Sequence, residues 1–177
     1  MMPVKCQFRE EPLPSDLRGV EEIVVSSGFF SRAEVGVARE LLGERLNRGP
    51  SSGYFFIFAE DGGQVLGYTC FGPVPCTLGT YDLYWIAVRS PLRGAGLGKT
   101  LLDRTERRIL RMGGERIFVE TSSRDLYLPS RRFYRACGYE EAAVLKEFYG
   151  PGDDKVIYIK KLNPDPVGSD KGGQVCS

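Results

Sequence analysis

The 177-residue chain contains no histidine. Ser-His-Asp triads, Cys-His dyads and His-ligated metal sites are thereby excluded, so a general base here is a carboxylate, a tyrosine, a lysine or a water. An excess of either charge is missing too: 24 Lys and Arg stand against 23 Asp and Glu, a net charge of +1. Bulk electrostatics therefore give no reason to expect nucleic acid or an anionic membrane as a partner. No apolar run approaches the roughly 20 residues that a bilayer-spanning helix needs. The first 14 residues carry charges at 5, 9, 10 and 11 and lack the apolar centre of a signal peptide. Five cysteines, at 6, 70, 76, 137 and 176, form an odd set without C-x-x-C spacing, the pattern of reduced thiols in a cytoplasm. The rest is ordinary for one globular domain, at 42% hydrophobic and 27% charged residues and a length that suits one core better than two.

Glycine is plentiful, 22 residues in all, and three glycines mark the stretch that organises the chain. It runs Val88-Arg89-Ser90-Pro91-Leu92-Arg93-Gly94-Ala95-Gly96-Leu97-Gly98-Lys99-Thr100-Leu101-Leu102. An apolar run over 84–88 enters it as a buried strand, and an amphipathic helix leaves it. Glycine lets a backbone approach a ligand closely. The first turn of a helix adds unpaired N–H groups and the positive end of a dipole, which together make an anion site. The stretch points to a phosphate. It is not a P-loop: Gly98-Lys99-Thr100 supplies the second half, but the first glycine would fall on Arg93. A dinucleotide fingerprint also fails, with Lys99 or Leu101 standing where its last glycine belongs.

Along the chain, Ser15-Asp16 is placed to cap a helix through Val20, Ile23 and Val24 to Gly28. Ser31, three residues before Glu34, has capping-box spacing and opens a second helix that ends at Asn47-Arg48-Gly49-Pro50. Residues 54–59 and 64–71 are strands joined by the hairpin chemistry of Asp61-Gly62-Gly63, and 80–88 is the central strand. A helix over 96–112 follows the glycine turn; its Arg104, Arg107, Arg108 and Arg111 stripe is expected to be a solvated face. Residues 116–121 form the next strand, and Pro129-Ser130 opens a short helix through Cys137, stopped by Gly138. Residues 139–149 and 156–162 are a last antiparallel pair joined by a loop over 150–154. A first strand is placed at 4–8, and the polar tail 163–177 is expected to be disordered. The order describes one α/β (α+β) domain over 1–162.

Arg93-Gly94-Ala95-Gly96-Leu97-Gly98 fits the pattern [QR]-x-x-G-x-[GA] between an apolar strand and a helix. It resembles the acyl-CoA pyrophosphate loop of the GNAT superfamily of N-acetyltransferases. A second segment, Arg132-Phe133-Tyr134-Arg135-Ala136-Cys137-Gly138-Tyr139, looks like the FY-x-x-x-GF signature of that family's last helix. The resemblance implies a mixed, mostly antiparallel sheet with helices on both faces. It also implies transfer of an acetyl group from acetyl-CoA, without a metal, to a small-molecule or peptide amine by a monomer or homodimer. A non-catalytic acyl-CoA-binding regulatory module is the alternative. A P-loop phosphohydrolase is disfavoured by Arg93 and by the lack of a Walker B strand.

Acyl transfer to an amine needs a neutral amine, a polarised carbonyl, a held cofactor and a stabilised thiolate. Glu120 is the first carboxylate to consider, pointing opposite Val119 by strand alternation. In ribosomal-protein alanine N-acetyltransferases, which this stretch resembles, a glutamate at the matching position removes the amine proton. Facing solvent at the strand end, or pairing with Arg116 or Arg124, is the plainer role for Glu120, and Asp82 and Glu60 are rival carboxylates. The resemblance carries over to Tyr134 the role of the acid that meets the CoA sulfur; the alternative is a core aromatic beside Phe133. Arg93 and the N–H groups of Gly94, Ala95, Gly96, Leu97, Gly98 and Lys99 would hold the pyrophosphate, with Thr100 beside them. Backbone groups of Ile86, Ala87 and Val88 would pair with the pantetheine arm as though it were an added strand. On the acceptor side, Asp82, Asp153 and Asp154 are placed to attract a cationic amine. One departure from the family pattern is Tyr127, where an asparagine is common, with a slight insertion over 126–129. Cys137 is read as a small helix residue, not an acyl relay, since no base lies near it in sequence.

Overall fold

A computed structural model describes residues 6–28 and 30–163. The chain begins with β1 (Gln7–Arg9), followed by α1 (Asp16–Ser26) and α2 (Arg32–Arg48). Three strands follow, β2 (Phe55–Asp61), β3 (Gln64–Pro73) and β4 (Thr80–Val88), and then α3 (Leu97–Arg111). It closes with β5 (Arg116–Ser122), α4 (Leu128–Ala136), β6 (Glu140–Gly150) and β7 (Asp153–Lys161). The order is the expected one. The first strand lies at 7–9 where 4–8 was expected, and residues 4 and 5 are outside the described ones, as is the tail from 164. Asp153 and Asp154, expected in a loop, are the first residues of β7, because Pro151-Gly152 alone makes the turn.

The seven strands form one sheet in the order β1-β2-β3-β4-β5-β7-β6. Every neighbour is antiparallel except β4 and β5. Alternation in β2 sends Phe56 and Phe58 to one face and Ile57 and Ala59 to the other. On the first face they meet Val20, Ile23, Val24, Ala38 and Leu42 of α1 and α2. The opposite face packs on Leu97, Leu101, Leu102 and Ile109 of α3 and Tyr134 of α4. A buried hydroxyl pair, Thr69 to Thr105 at 2.8 Å, seats α3 on β3.

Local capping chemistry is half as expected. The Ser31–Glu34 capping box forms in both directions. Ser15 makes no capping bond; instead the Asp16 carboxylate, 2% exposed, accepts from the Leu13 N–H at 2.6 Å and from Arg9 at 2.8 Å. Arg9 also reaches Glu60 at 2.9 Å, so one guanidinium ties β1, α1 and β2 together. The arginine stripe of α3 is not a bare solvated face. Arg104 lies over the Phe8 ring at 3.9 Å, and Arg108 and Arg111 hold Glu10 at 2.9 and 3.3 Å.

The junction between α3 and β5 is tight. At Gly114 a Cβ atom would overlap Ile109 Cγ2 and stand 2.8 Å from the Tyr81 ring, and both side chains are buried in the core. Overpacking of this kind costs about 1–3 kcal/mol, and each kcal/mol lowers Tm by roughly 2–4 °C at this chain length. Gly114→Ala should therefore lower Tm by several degrees in a thermal melt. An unchanged Tm would contradict the packing described.

Candidate active site

The parallel pairing of β4 with β5 covers only Thr80–Asp82 against Arg116–Phe118, although both strands continue. Two residues past Asp82, β4 carries a bulge: Cys70 of β3 opposes Trp85, Phe71 opposes Leu83, and Tyr84 is extra. A bulge bends and twists its strand, and here it turns the second half of β4 away from β5. The Arg89 N–H donates to the Leu66 carbonyl at 2.9 Å. Antiparallel alternation then directs the polar backbone of Ala87 and Trp85 toward β3 as well, and that of Ile86 and Val88 toward the opening. Ile86 and Val88, but not Ala87, direct their amides into the opening.

The glycine turn lies at the mouth of this opening. A single 3₁₀ turn over Ser90–Leu92 leads to Arg93, and Gly94 and Gly96 adopt φ of +77° and +85°. Gly96 caps α3 from the left-handed region, a conformation that a side chain would strain. The Arg93 and Ala95 N–H groups close local turns onto Ser90 and Leu92 at 3.3 Å each. Among the described residues, no acceptor meets the N–H groups of Gly94, Gly96, Leu97, Gly98 or Lys99. The loop amides therefore divide, with Ala95 turned inward and its neighbours available. Gly98 is where three elements converge: a Cβ there would touch the Phe133 ring of α4 at 3.7 Å and Val88 at 3.8 Å. Arg93 reaches back to the Ser27 carbonyl at 3.4 Å, Lys99 pairs with Asp103 at 2.9 Å, and the Thr100 hydroxyl donates to the Gly96 carbonyl at 3.3 Å.

Tyr134 is 6% exposed, its ring 5.5 to 6.1 Å from those of Phe133, Tyr139 and Tyr158. Burial lifts its hydroxyl far above the ordinary tyrosine range, with Cys137 adding to the effect. The phenol therefore stays protonated at any working pH. Tyr127, at the position expected to differ from the family pattern, is buried and donates to Glu34 of α2 at 3.5 Å. Cys137 is a half-buried free thiol; its pKa is raised chiefly by burial.

On the other side of the opening stand the carboxylates. Asp82 is the last residue of the paired segment, and no hydrogen bond or ion pair reaches its carboxylate among the described residues. Burial pushes its carboxyl up and the Glu120 charge adds to this, while Lys155 pulls it down. Glu120, half-exposed, holds Lys155 Nζ at 2.6 Å. Neither Arg116 nor Arg124 is its partner: Arg116 pairs with Glu115 and Arg124 with Asp153. Glu60 is bound to Arg9, far along the sheet at the β1–β2 pairing. Asp153 and Asp154 do not face the opening as bare charges. Asp153 accepts from Ser122 and Arg124, and Asp154 from Lys146 at 2.8 Å and the Glu147 N–H at 2.9 Å.

Three residues join the site without having stood out in the sequence. Lys155 sits under the Phe148 ring at 3.7 Å as well as on Glu120. Tyr84, the bulged residue, meets Tyr54 edge-on at 5.5 Å, and burial with the nearby Asp82 charge pushes it to about 12. Tyr149 is pushed to about 12 by burial and by the charges of Glu120, Asp153 and Glu34. Lys155 and Tyr149 acquire their surroundings from Glu120 on another strand, and Tyr84 owes its place to the bulge and to Tyr54, thirty residues away, so no local pattern marks them.

Residues 20–139 match the model of the acetyltransferase (GNAT) family. An uncharacterised N-acetyltransferase of Methanocaldococcus jannaschii is 30% identical over 111 residues, 60% of this chain and 65% of that protein. The chain thus matches just under two thirds of that relative's length. A crystal structure of a GNAT-family protein from Desulfovibrio desulfuricans superposes with a TM-score of 0.88 at 45% identity, covering 90% of this chain and all of that one. An aminoglycoside 6′-N-acetyltransferase complexed with coenzyme A shares the fold at 18% identity, with a TM-score of 0.71 over 91% of this chain and 99% of that one.

The raised Asp82 carboxyl has a consequence for stability. The folded chain holds that proton more tightly than the unfolded chain does. Its stabilising contribution is therefore complete below the ordinary carboxylate pKa and is lost as pH rises through the raised value. Asp82→Asn removes the charge without changing the shape. Its Tm should equal or exceed that of the wild type at pH 7, and the gap should close as pH falls below about 4. A lower Tm for the variant at pH 7 would contradict this electrostatic account.

Proposed function

The chain belongs to the GNAT acetyltransferase family, and from that premise we propose that it transfers an acetyl group from acetyl-CoA to a primary amine by direct attack in a ternary complex. The observation that carries the reading is the open side of β4, where the Ile86 and Val88 amides face a gap beside N–H groups at the start of α3 that have no acceptor among the described residues.

Arg93 and the N–H groups of Gly94, Gly96, Leu97, Gly98 and Lys99 would hold the pyrophosphate, with Thr100 beside them. The Ile86 and Val88 backbone would hydrogen-bond the pantetheine arm as an added strand, and one of these N–H groups would polarise the acyl carbonyl. When bound, acetyl-CoA supplies a thioester whose C–S bond breaks as the N–C bond to the acceptor forms. Asp82 would take the amine proton, since it borders the opening, lacks an ion pair among the described residues and holds a proton more readily than an ordinary aspartate. Glu120 keeps an oxygen on Lys155 and would orient the acceptor instead of deprotonating it. Tyr134 would donate a hydrogen bond to the departing sulfur; its burial makes it a persistent donor and a reluctant acid. The cation-attracting role expected of Asp153 and Asp154 passes to Asp82 and Glu120, because the two aspartates are engaged within the chain. Free thiols at Cys6, Cys70, Cys76 and Cys137 suit a reducing, cytoplasmic setting.

An amine panel with acetyl-CoA and thiol detection tests the reading. Thiol release should require an amine, and Tyr134→Phe should lower kcat at least about tenfold while leaving the acetyl-CoA-induced Tm shift intact. A charge-assisted hydrogen bond is worth about 1.5–3 kcal/mol, so Arg93→Ala should raise KM for acetyl-CoA roughly 10- to 100-fold. A Tm shift with no thiol release across the panel would leave an acyl-CoA-binding module in place of a transferase.

A further inference from the structure

β6 is an edge strand exposed along nearly its whole length and on both faces. It carries the apolar run Ala142-Ala143-Val144-Leu145, with Val144 37% and Leu145 42% exposed. Sheet edges normally blunt themselves with charge, proline or a covering element, since an open apolar edge pairs with other chains. Here a lysine and three glutamates flank the run, and none of them lies inside it.

We propose that β6 pairs antiparallel with β6 of a second copy, so that two seven-stranded sheets join edge to edge about a two-fold axis at Val144. Charge and register together select this occupant. Residues opposite one another in a sheet share a face. Glu141 opposite Tyr158 and Val144 opposite Val156 therefore lie on the α4 face, and Lys146 follows by alternation. Glu141 meets Arg135 of α4 at 3.0 Å, in agreement. Ala143 and Leu145, opposite Ile157 and Lys155, lie on the other face. A two-fold axis requires an isologous contact. With Val144 against itself, Ala143 falls opposite Leu145 of the second copy. The pairing shift between Glu141 and Ala143, which leaves Ala142 unpaired, then sets Glu141 opposite Lys146 of the second copy, on the same face. Three apolar contacts, Val144 on itself and Ala143 on Leu145 twice, and two ion pairs form on one symmetric edge. Without the bulge at Ala142, glutamate and lysine would fall out of step.

Sedimentation equilibrium of the full chain tests this. The wild type should show twice the 19.7 kDa chain mass. Glu141→Lys and Lys146→Glu should each shift the protein to the single-chain mass at the same concentration, with unchanged circular dichroism. The double variant Glu141→Lys/Lys146→Glu should regain the dimer, although its pairs to Arg135 and Asp154 are lost. An equimolar mixture of the two single variants should form a heterodimer, because one then presents two lysines and the other two glutamates. A wild type that stays at the single-chain mass overturns the proposal. So does a dimer that survives both single reversals, or one that neither the double variant nor the mixture restores.

Discussion

Backbone pairing between β4 and β5 stops after Asp82 and Phe118, and the candidate site depends on that interruption. Buried peptide groups ordinarily pair, because an unmet N–H or C=O is costly away from water. A sheet that continued regularly would use up the Ile86 and Val88 amides and leave no way into its centre. The bulge at Tyr84 bends β4 at the place where its partner is lost. It costs ladder hydrogen bonds and produces a slot lined by main chain in the middle of a sheet. On both sides of the slot the strands are paired to further strands, β4 to β3 and β5 to β7, so the opening is held by rigid elements and not by a loop.

The two ends of the slot differ in polarity. At one end, the N–H groups at the start of α3, which meet no acceptor among the described residues, and the Arg93 guanidinium favour an anion. At the other, Asp82 and Glu120 favour a cation, moderated by Lys155, which neutralises one of the two charges at 2.6 Å. Tyr134 stands in the core beneath, its phenol held neutral by burial. An anionic donor and a cationic acceptor would thus be drawn to different ends and meet where the backbone is unpaired.

The helices that frame the slot are fixed by contacts distant in sequence. Arg89 bonds the Val65 carbonyl at 2.7 Å and Glu22 of α1 at 2.8 Å, so the entry to the glycine turn is fastened to two other elements. Arg104, Arg108 and Arg111 clasp the first strand and the residue after it. These arginines looked like a solvated face because periodicity reports which side of a helix is polar. It does not report whether another segment of chain lies across that side.

Local chemistry made much of the molecule legible in the sequence. The glycine turn, the following helix, the capping box and the 80–88 strand each follow from backbone preferences and side-chain periods acting over a few residues. The absence of histidine by itself restricts the base to a short set. The tertiary structure decided which carboxylate remains unpaired. Among the described residues the Asp82 carboxylate has no partner, while Glu120, Asp153 and Asp154 hold partners that lie on other strands or beyond turns. It also decided that Ala95 and Ala87 turn their amides inward, through the hydrogen bonds of a turn and the register of β3. Strand pairing and ion pairing join residues tens of positions apart, and no local period encodes such a distance; the gap in the sheet exists only once β3, β4 and β5 are set side by side.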